Sequence, residues 1–370
     1  MIISRGGLIL DNKFGFIGYP LSIDLLNKFN PSLKSLPPAD LKDKLTKLPP
    51  IIASSITGVR STTGRELEGI FILVMLLPDQ IIELDHKFVI EKIIEAGKLA
   101  EKEGAKIIGL GGLTSIIGNQ GEIVAKNLNI AVTTGNTYTA ATTIEATLKA
   151  AEAMGIDIAK ATATVIGATG SIGSTCSYIL SEKAANLNLV ARNQKKLELF
   201  SKQLASSGRA KVDYSTNIDK SVSVSDIIIS ATSTPNAIID PDYVKPGAVI
   251  CDVSVPRNVM EKGKKREDIL IIDGGLISPP GQLKIDFDIG LPNGTAYACL
   301  CETMILALEN RFENYTMGPG IEQKKVKEIL GLAKKHGFKI SGFKSFGRSL
   351  TAKDIQTIKN NAIATTGKTK

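Results

Sequence analysis

Short, β-branched apolar runs recur along this chain, and most are followed by a longer stretch with one apolar face. In the first part, Ile51–Ile56, Gly69–Leu76, Lys106–Gly109 and Ile130–Thr133 read as strands, and Lys87–Glu103 and Thr139–Met154 as helices. That alternation predicts an N-terminal α/β domain over residues 1–158, with the Pro- and Lys-rich stretch 31–50 as a surface connection. The next part is more regular. Thr162–Ile166, Leu187–Val190, Ile227–Ser230, Val249–Asp252 and Leu270–Asp273 are continuous apolar runs of the kind buried on both faces of a parallel sheet. We expect a Rossmann-like, doubly wound parallel sheet over 159–280. From 281 the spacing turns helical, with Thr295–Glu313 and Ile321–His336 as the main segments of a C-terminal helical region, 281–340. Residues 341–370 form a tail, and no internal repeat is present.

The strand Thr162–Ile166 runs into Gly167-Ala168-Thr169-Gly170-Ser171-Ile172-Gly173, then a helix-like segment. A strand, a glycine turn and a helix start make a phosphate cradle. The first glycine permits the turn, the second admits a pyrophosphate to backbone N–H groups, and the third lets helix pack on strand. The spacing is G-x-x-G-x-x-G, so a plain glycine-rich turn is the alternative. The following strand ends in Ala191-Arg192-Asn193, where an NAD site usually places an acid for the ribose 2′-hydroxyl. A cation there suits a 2′-phosphate, so the expected cofactor is NADPH. Ala231, Thr232 and Ser233 (before Thr234-Pro235), and Val253 and Ser254 (before Val255-Pro256), follow later strands and are candidates to line the ribose and nicotinamide. In the first domain, Gly111, Gly112, Thr114 and Ser115, and Thr134, Gly135 and Asn136, also follow strand-like runs. They are either structural turns or the lining of a substrate site.

Composition fits a soluble globular protein: 43% hydrophobic and 22% charged residues, with no apolar run longer than Ile70–Leu77. That run is too short to span a bilayer, and Arg5 and Asp11 interrupt the start of the chain, so neither a transmembrane segment nor an export signal is expected. The four cysteines, at 176, 251, 299 and 301, make no paired framework and read as reduced thiols in a cytoplasm. The net charge is +8, of which +5 lies in 341–370, leaving +3 on the rest. A nucleic-acid partner is therefore not expected. We read the tail as a solvated terminus, and Lys262, Lys264, Lys265 and Arg266 as a solvated basic loop that an acidic partner could use.

Only two histidines are present, His86 and His336, which is few for a metal site. Cysteine is the better lead. In Thr295-Ala296-Tyr297-Ala298-Cys299-Leu300-Cys301-Glu302, Thr295 is a candidate N-cap, which puts Cys299 in or beside a first helical turn. The helix dipole there is expected to lower the thiol pKa. A thiolate facing a nicotinamide suggests attack on an activated acyl group, a thioester, and hydride transfer to an aldehyde. Spacing alone favours a core cysteine over a catalytic one. Cys301 lies about 200° around the helix, and Cys176 and Cys251 read as small core residues.

Taken together, these motifs resemble the long-chain acyl-[acyl-carrier-protein] reductases known from cyanobacteria, over about Phe16 to Phe338. The matching stretches are Gly15–Gly18, Gly111–Ile116, Thr133–Thr137, Ala153–Ile158, the glycine loop, Ala191–Gln194, Ala298-Cys299, Glu302, Met304 and Lys335–Phe338. The resemblance places the family's thioester-forming cysteine on Cys299. It implies NADPH-dependent reduction of a fatty acyl thioester, carried on acyl carrier protein or coenzyme A, to a fatty aldehyde. It also implies stimulation by magnesium and an aldehyde-consuming partner enzyme. The chain departs from the family pattern at Tyr138, where a histidine is expected, at Asp252–Pro256 in place of a glycine-rich loop, and at Cys301. The alternatives are a dehydrogenase of the shikimate or glutamyl-tRNA reductase type and a non-catalytic NADP-binding sensor.

Overall fold

The computed structural model describes residues 12–234, 236–262 and 266–367. Arg5, Asp11, Pro235, Lys264 and Lys265, and the tail lysines 368 and 370, lie outside them. The chain forms two compact units, and each is discontinuous. The first comprises the described residues up to Tyr138, Ile277–Pro319 and Lys327–Lys339; the second comprises Thr139–Leu276, Gly320–Val326 and the described residues from Ile340 onward. This division differs from the four consecutive stretches expected from sequence.

The first unit is built on a mixed sheet. Its strands are β1 (Phe14–Gly18), β2 (Ile51–Arg60), β3 (Glu66–Leu73), β4 (Ile107–Leu110), β5 (Ala131–Thr133) and the strand Gly281–Ile285. The order is Gly281–Ile285, β2, β3, β1, β4, β5. β1 runs parallel to β3 and β4, and β4 to β5, while β2 is antiparallel to both its neighbours. Neighbouring residues on β1 face opposite sides of the sheet. Gly15 lies under Ala100 of the helix His86–Lys102, whereas Phe16 shares its side with Gly109, which lies under Thr303 of the helix Ala298–Leu308. These two helices thus lie on opposite faces of the sheet. Nearly every side chain of Ala298–Leu308 is buried, as an all-round apolar helix requires.

The second unit is a six-stranded, fully parallel sheet of β6 (Thr162–Ile166), β7 (Asn186–Val190), β8 (Lys211–Ser215), β9 (Ile227–Ser230), β10 (Val249–Asp252) and β11 (Leu270–Asp273). The order is β11-β10-β9-β6-β7-β8. Taken from β8, that is the 3-2-1-4-5-6 order of a Rossmann sheet, with its switch point between β6 and β9. The helices Ser171–Ser181 and Gln194–Ala205 make its crossovers. The fold class is therefore α/β with a doubly wound parallel sheet, as the apolar runs predicted.

Three expectations are corrected. The stretch 31–50 contains a helix, Pro38–Lys47, whose Leu41 and Leu45 are buried; they lie four apart and so share a face. The region from 281 does not begin helical: Gly281–Ile285 completes the first sheet. The tail is not a solvated terminus. Ala352–Gly367 is a helix with Ile355 and Ala362 buried, and Phe343, Leu350 and Ile358 pack against the core of the second unit. Sparse apolar residues at helical spacing suffice for this, because their partners come from distant parts of the chain.

Candidate functional site

In the second unit the glycine loop sits at the carboxyl end of β6. Gly167 has φ +83°, open to glycine, and a Cβ there would stand 2.3 Å from Ala231 O. A Cβ on Gly173 would stand 2.2 Å from Gly167 O, so the third glycine sets how closely the helix Ser171–Ser181 meets the turn. Gly170 differs. A Cβ there would meet only Gly167 O, at 3.3 Å, and Gly170 is the exposed N-cap of that helix. The chain leaves space where a pyrophosphate would approach the helix N-terminus, so the loop fits a dinucleotide. Ala168, Ser171 and Gly173 are buried, and Thr169 and Ile172 half-buried.

Ala191 and Arg192 follow β7, and Arg192 is exposed there. Asn193 plays a structural part, its Oδ1 accepting from Lys196 N at 3.0 Å and so capping the next helix. Thr232 and Ser254 are brought together after β9 and β10. Thr232 N donates to Ser254 Oγ at 3.2 Å, and both hydroxyls donate to Asn258 Oδ1, at 2.5 and 2.8 Å. Ser230 joins them at 3.1 Å. Asp252, buried, accepts from the N–H groups of Ser254, Asn258 and Val259, which shapes the loop. Burial pushes the Asp252 carboxyl up, against these hydrogen bonds. Ser233 is exposed and Val253 half-buried. Sequence reading missed Asn258, since a lone asparagine carries no spacing signal.

In the first unit, β4 and β5 each end in a turn that meets the helix carrying Cys299. A Cβ on Gly135, φ +74°, would stand 2.3 Å from Cys299 Cα, so only glycine allows the β5 turn to lie against the cysteine backbone. From the β4 turn the Gly112 N–H, and with it the helix's own Leu300 N–H, lies near enough to the Cys299 sulfur to favour its thiolate. Leu113 N donates to Tyr19 Oη at 3.1 Å. Gly112 is exposed and Cys299 half-buried, whereas Gly111, Thr114, Ser115, Thr134, Gly135 and Asn136 are buried. Thr114 Oγ1 donates to Gly111 O at 2.9 Å and Ser115 Oγ to Gly112 O at 2.7 Å, so these hydroxyls hold the turn. Thr134 Oγ1 donates to Thr316 O at 3.2 Å.

Thr295 does not cap the helix. An extended pair, Ala296–Tyr297, intervenes, Tyr297 is the N-cap, and Cys299 is the second helical residue. The expected lowering of its pKa is overturned. Burial pushes the thiol up to about 12, and the neighbouring Glu302 charge adds to that, while the Leu300 and Gly112 N–H groups act against it. Desolvation outweighs the helix N-terminus here. Tyr19 is likewise pushed up to about 12 by burial. Cys176, Cys251 and Cys301 are buried and also raised by desolvation.

His336 is fully buried between Ser61 Oγ at 2.7 Å from Nδ1 and Glu309 Oε1 at 2.5 Å from Nε2. Thr62 N and Oγ1 donate to the carbonyls of His336 and Lys335, so this cluster ties the β2–β3 turn to a helix end. Among the described residues no three or more His, Cys, Asp or Glu side chains are placed to hold a metal ion, so the structure gives no ligand cluster for the magnesium that the resemblance implies. Among them, no helix is long and apolar enough to cross a membrane.

Residues 148–273, all in the second unit, match the shikimate / quinate 5-dehydrogenase family. That match, the strand order and the open second glycine together make this a nicotinamide dinucleotide-binding unit. A long-chain acyl-[acyl-carrier-protein] reductase of Synechococcus elongatus is 32% identical over 305 residues, 78% of this chain and 87% of that protein. Aminotransferase PigE of a Serratia species is 30% identical over 362 residues, 94% of this chain, and the chain spans 42% of the length of that relative. Among solved structures, the glutamyl-tRNA reductase of Methanopyrus kandleri matches 73% of this chain and 56% of its own at 16% identity, with a TM-score of 0.31. By the extent and identity of its match to the Synechococcus enzyme, the chain belongs to the long-chain acyl-[acyl-carrier-protein] reductase family.

Proposed function

We propose that this protein uses NADPH to reduce a long-chain fatty acyl thioester, carried on acyl carrier protein or coenzyme A, to a fatty aldehyde through a thioester on Cys299. The observation that carries this reading is the setting of Cys299. It is the cysteine that is not fully buried, it lies in a first helical turn, and backbone N–H groups meet its sulfur. The membership of the chain in an acyl-thioester-reducing family supports the same assignment.

The raised thiol pKa means that Cys299 rests protonated. In the first step its sulfur bonds to the acyl carbon, the bond from acyl carbon to carrier sulfur breaks, and the thiol proton leaves with the carrier thiol. No external base is required by that balance. The Gly112 N–H and the N–H groups of the first helical turn face charge that develops at this point, which is where fixed donors are most effective. When bound, NADPH supplies the hydride that reduces the thioester carbon. The carbon–sulfur bond then breaks, the aldehyde leaves, and Cys299 takes a proton from water. Gly170 leaves the pyrophosphate approach open, the Thr232 and Ser254 hydroxyls, held by Asn258, would line the ribose and nicotinamide, and exposed Arg192 would pair with the 2′-phosphate.

Four unpaired thiols suit a reducing cytoplasm. Long-chain aldehydes are reactive, so an aldehyde-consuming enzyme is expected to follow; transfer of an amine is one such reaction, and one relative is named an aminotransferase. The test is mass spectrometry after incubation with palmitoyl-CoA and no NADPH. An acyl adduct on Cys299 is expected. Cys299→Ser should lose both adduct and aldehyde while binding NADPH normally, and Cys301→Ser should keep most activity. A second reading, a shikimate-type dehydrogenase acting on a hydroxyl or ketone, is favoured by the match over 148–273. It predicts no acyl adduct and a Cys299→Ser enzyme that still turns over.

A further inference from the structure

One buried charge in the first unit has no part in the steps above. Glu302 lies three residues after Cys299 on the same helix and is fully buried. Residues three apart share a helix face. Its Oε1 accepts from Thr133 Oγ1 at 2.5 Å and from Thr316 Oγ1 at 2.7 Å, and its Oε2 accepts from Tyr138 N at 2.7 Å. Tyr138 is the third residue of the helix Asn136–Met154, so its N–H is one of the donors that a helix start leaves without a partner in the helix. Glu302 is thus a carboxylate cap supplied by a different helix, which the dipole at that end favours.

The threonines extend the clamp. Thr133 Oγ1 also accepts from Thr316 N at 3.2 Å, Thr316 O accepts from Thr134 N at 3.0 Å, and the hydroxyls of Thr137 and Thr316 meet at 2.6 Å. What these bonds fix is the turn 133–138, and in that turn Gly135 lies hard against the Cys299 backbone. A charge buried this deeply is costly unless several donors satisfy it. A packing role alone would be met by an apolar residue.

We propose that Glu302 is the positioning residue for the Cys299 thiol: its carboxylate fastens the 133–138 turn to the cysteine's helix and so fixes the sulfur beneath the Gly112 N–H. The proposal rests on the reading of Cys299 as the nucleophile. It also has an electrostatic consequence. The Glu302 charge disfavours a thiolate one helical turn away, while the N–H groups of Gly112 in the β4 turn and of Leu300 favour it. Tyr19 from beyond β1 and Cys301 on the same helix are the other titratable groups beside the sulfur, and its charge raises theirs. Glu302 therefore holds the sulfur in place and adds to the burial that keeps it protonated until acyl transfer.

The test uses the full-length enzyme with Glu302→Gln, Glu302→Asp and Thr316→Val. Two rates are read by mass spectrometry of the Cys299 peptide: alkylation by iodoacetamide across pH, and acylation by palmitoyl-CoA. Glu302→Gln removes the charge, so alkylation at mildly alkaline pH should rise about tenfold, the change in thiolate fraction for one pH unit. Its acylation should slow about tenfold through lost alignment, with NADPH affinity unchanged. Glu302→Asp keeps the charge but shortens the reach, so acylation should slow without the gain in alkylation. Thr316→Val removes one donor and leaves the acid, and should slow acylation less than Glu302→Asp; it keeps the test decisive if the Glu302 variants do not fold. Folded variants that alkylate and acylate as wild type does, or that lose only thermal stability, overturn the proposal. A wild-type enzyme that takes no acyl group on Cys299 overturns the reading of the reaction instead, and the alkylation rates still report on Glu302.

Discussion

Gly170 and Gly173 are three residues apart in one loop, yet the structure assigns them opposite consequences when each is changed to alanine. At Gly173 the new Cβ would stand 2.2 Å from Gly167 O, 2.8 Å from Gly167 C and 3.2 Å from Ala168 Cα. All three atoms are backbone, so helix and turn must separate. Overpacking of that kind costs about 1–3 kcal/mol, which lowers the melting temperature by roughly 2–4 °C per kcal/mol in a chain of this class. At Gly170 the φ of −83° and ψ of 167° suit any L residue, and the only contact is Gly167 O at 3.3 Å. Stability should hold within about 0.5 kcal/mol. What Gly170→Ala alters is the space before the helix N-terminus. Displacing a pyrophosphate from one or two backbone N–H groups should raise the NADPH dissociation constant roughly ten- to a hundredfold, since charge-assisted hydrogen bonds are worth about 1.5–3 kcal/mol each. The assay is thermal unfolding without and with NADPH, beside a fluorescence titration. Saturating NADPH at about a hundred times its dissociation constant should stabilise wild type by about 2.7 kcal/mol. Gly170→Ala should lose about half or more of that gain from an unchanged starting point, while Gly173→Ala starts lower. A Gly170→Ala protein that binds NADPH as wild type does, or one that melts as early as Gly173→Ala, refutes the division of roles.

Two further outcomes are expected. Arg192→Ala should raise the NADPH dissociation constant roughly ten- to a hundredfold and leave NADH binding nearly unchanged; equal losses for both cofactors in parallel titrations would remove Arg192 from the 2′-phosphate site. His336 is held below its ordinary value of 6.5 by burial, which outweighs the Glu309 carboxylate. Its folded pKa is depressed, so its contribution to stability is complete above the unfolded value of 6.5 and is lost as pH falls below it. One pH unit below 6.5 the loss is at most about 1.4 kcal/mol. Melting temperatures should therefore drop between pH 7 and 5.5 in wild type, and less in His336→Gln; parallel curves would place the titrating group elsewhere.

The sequence by itself determined the architecture of the second unit, because parallel strands buried on both faces leave continuous apolar runs and a phosphate turn must be spelled in glycine. The runs at 227–230, 249–252 and 270–273 became β9, β10 and β11 with unchanged bounds. Gly167, Gly170 and Gly173 have the separate steric roles their order implied. Cys299 was legible as a candidate because a first helical turn is a local feature. The tertiary structure decided what depends on distant neighbours. The Cys299 thiol is raised by the desolvation its place in the fold imposes, and the dipole that sequence reveals is the smaller effect. Glu302 is one acid in an apolar helix until residues 133, 138 and 316 arrive from elsewhere in the chain to satisfy it. His336 meets Ser61 across 275 positions. The tail helix packs through Ile355, Ile358 and Ala362, whose partners no local window contains. Local periodicity records which face of an element is apolar. Which charges are buried, and what satisfies them, is fixed only when separate segments meet.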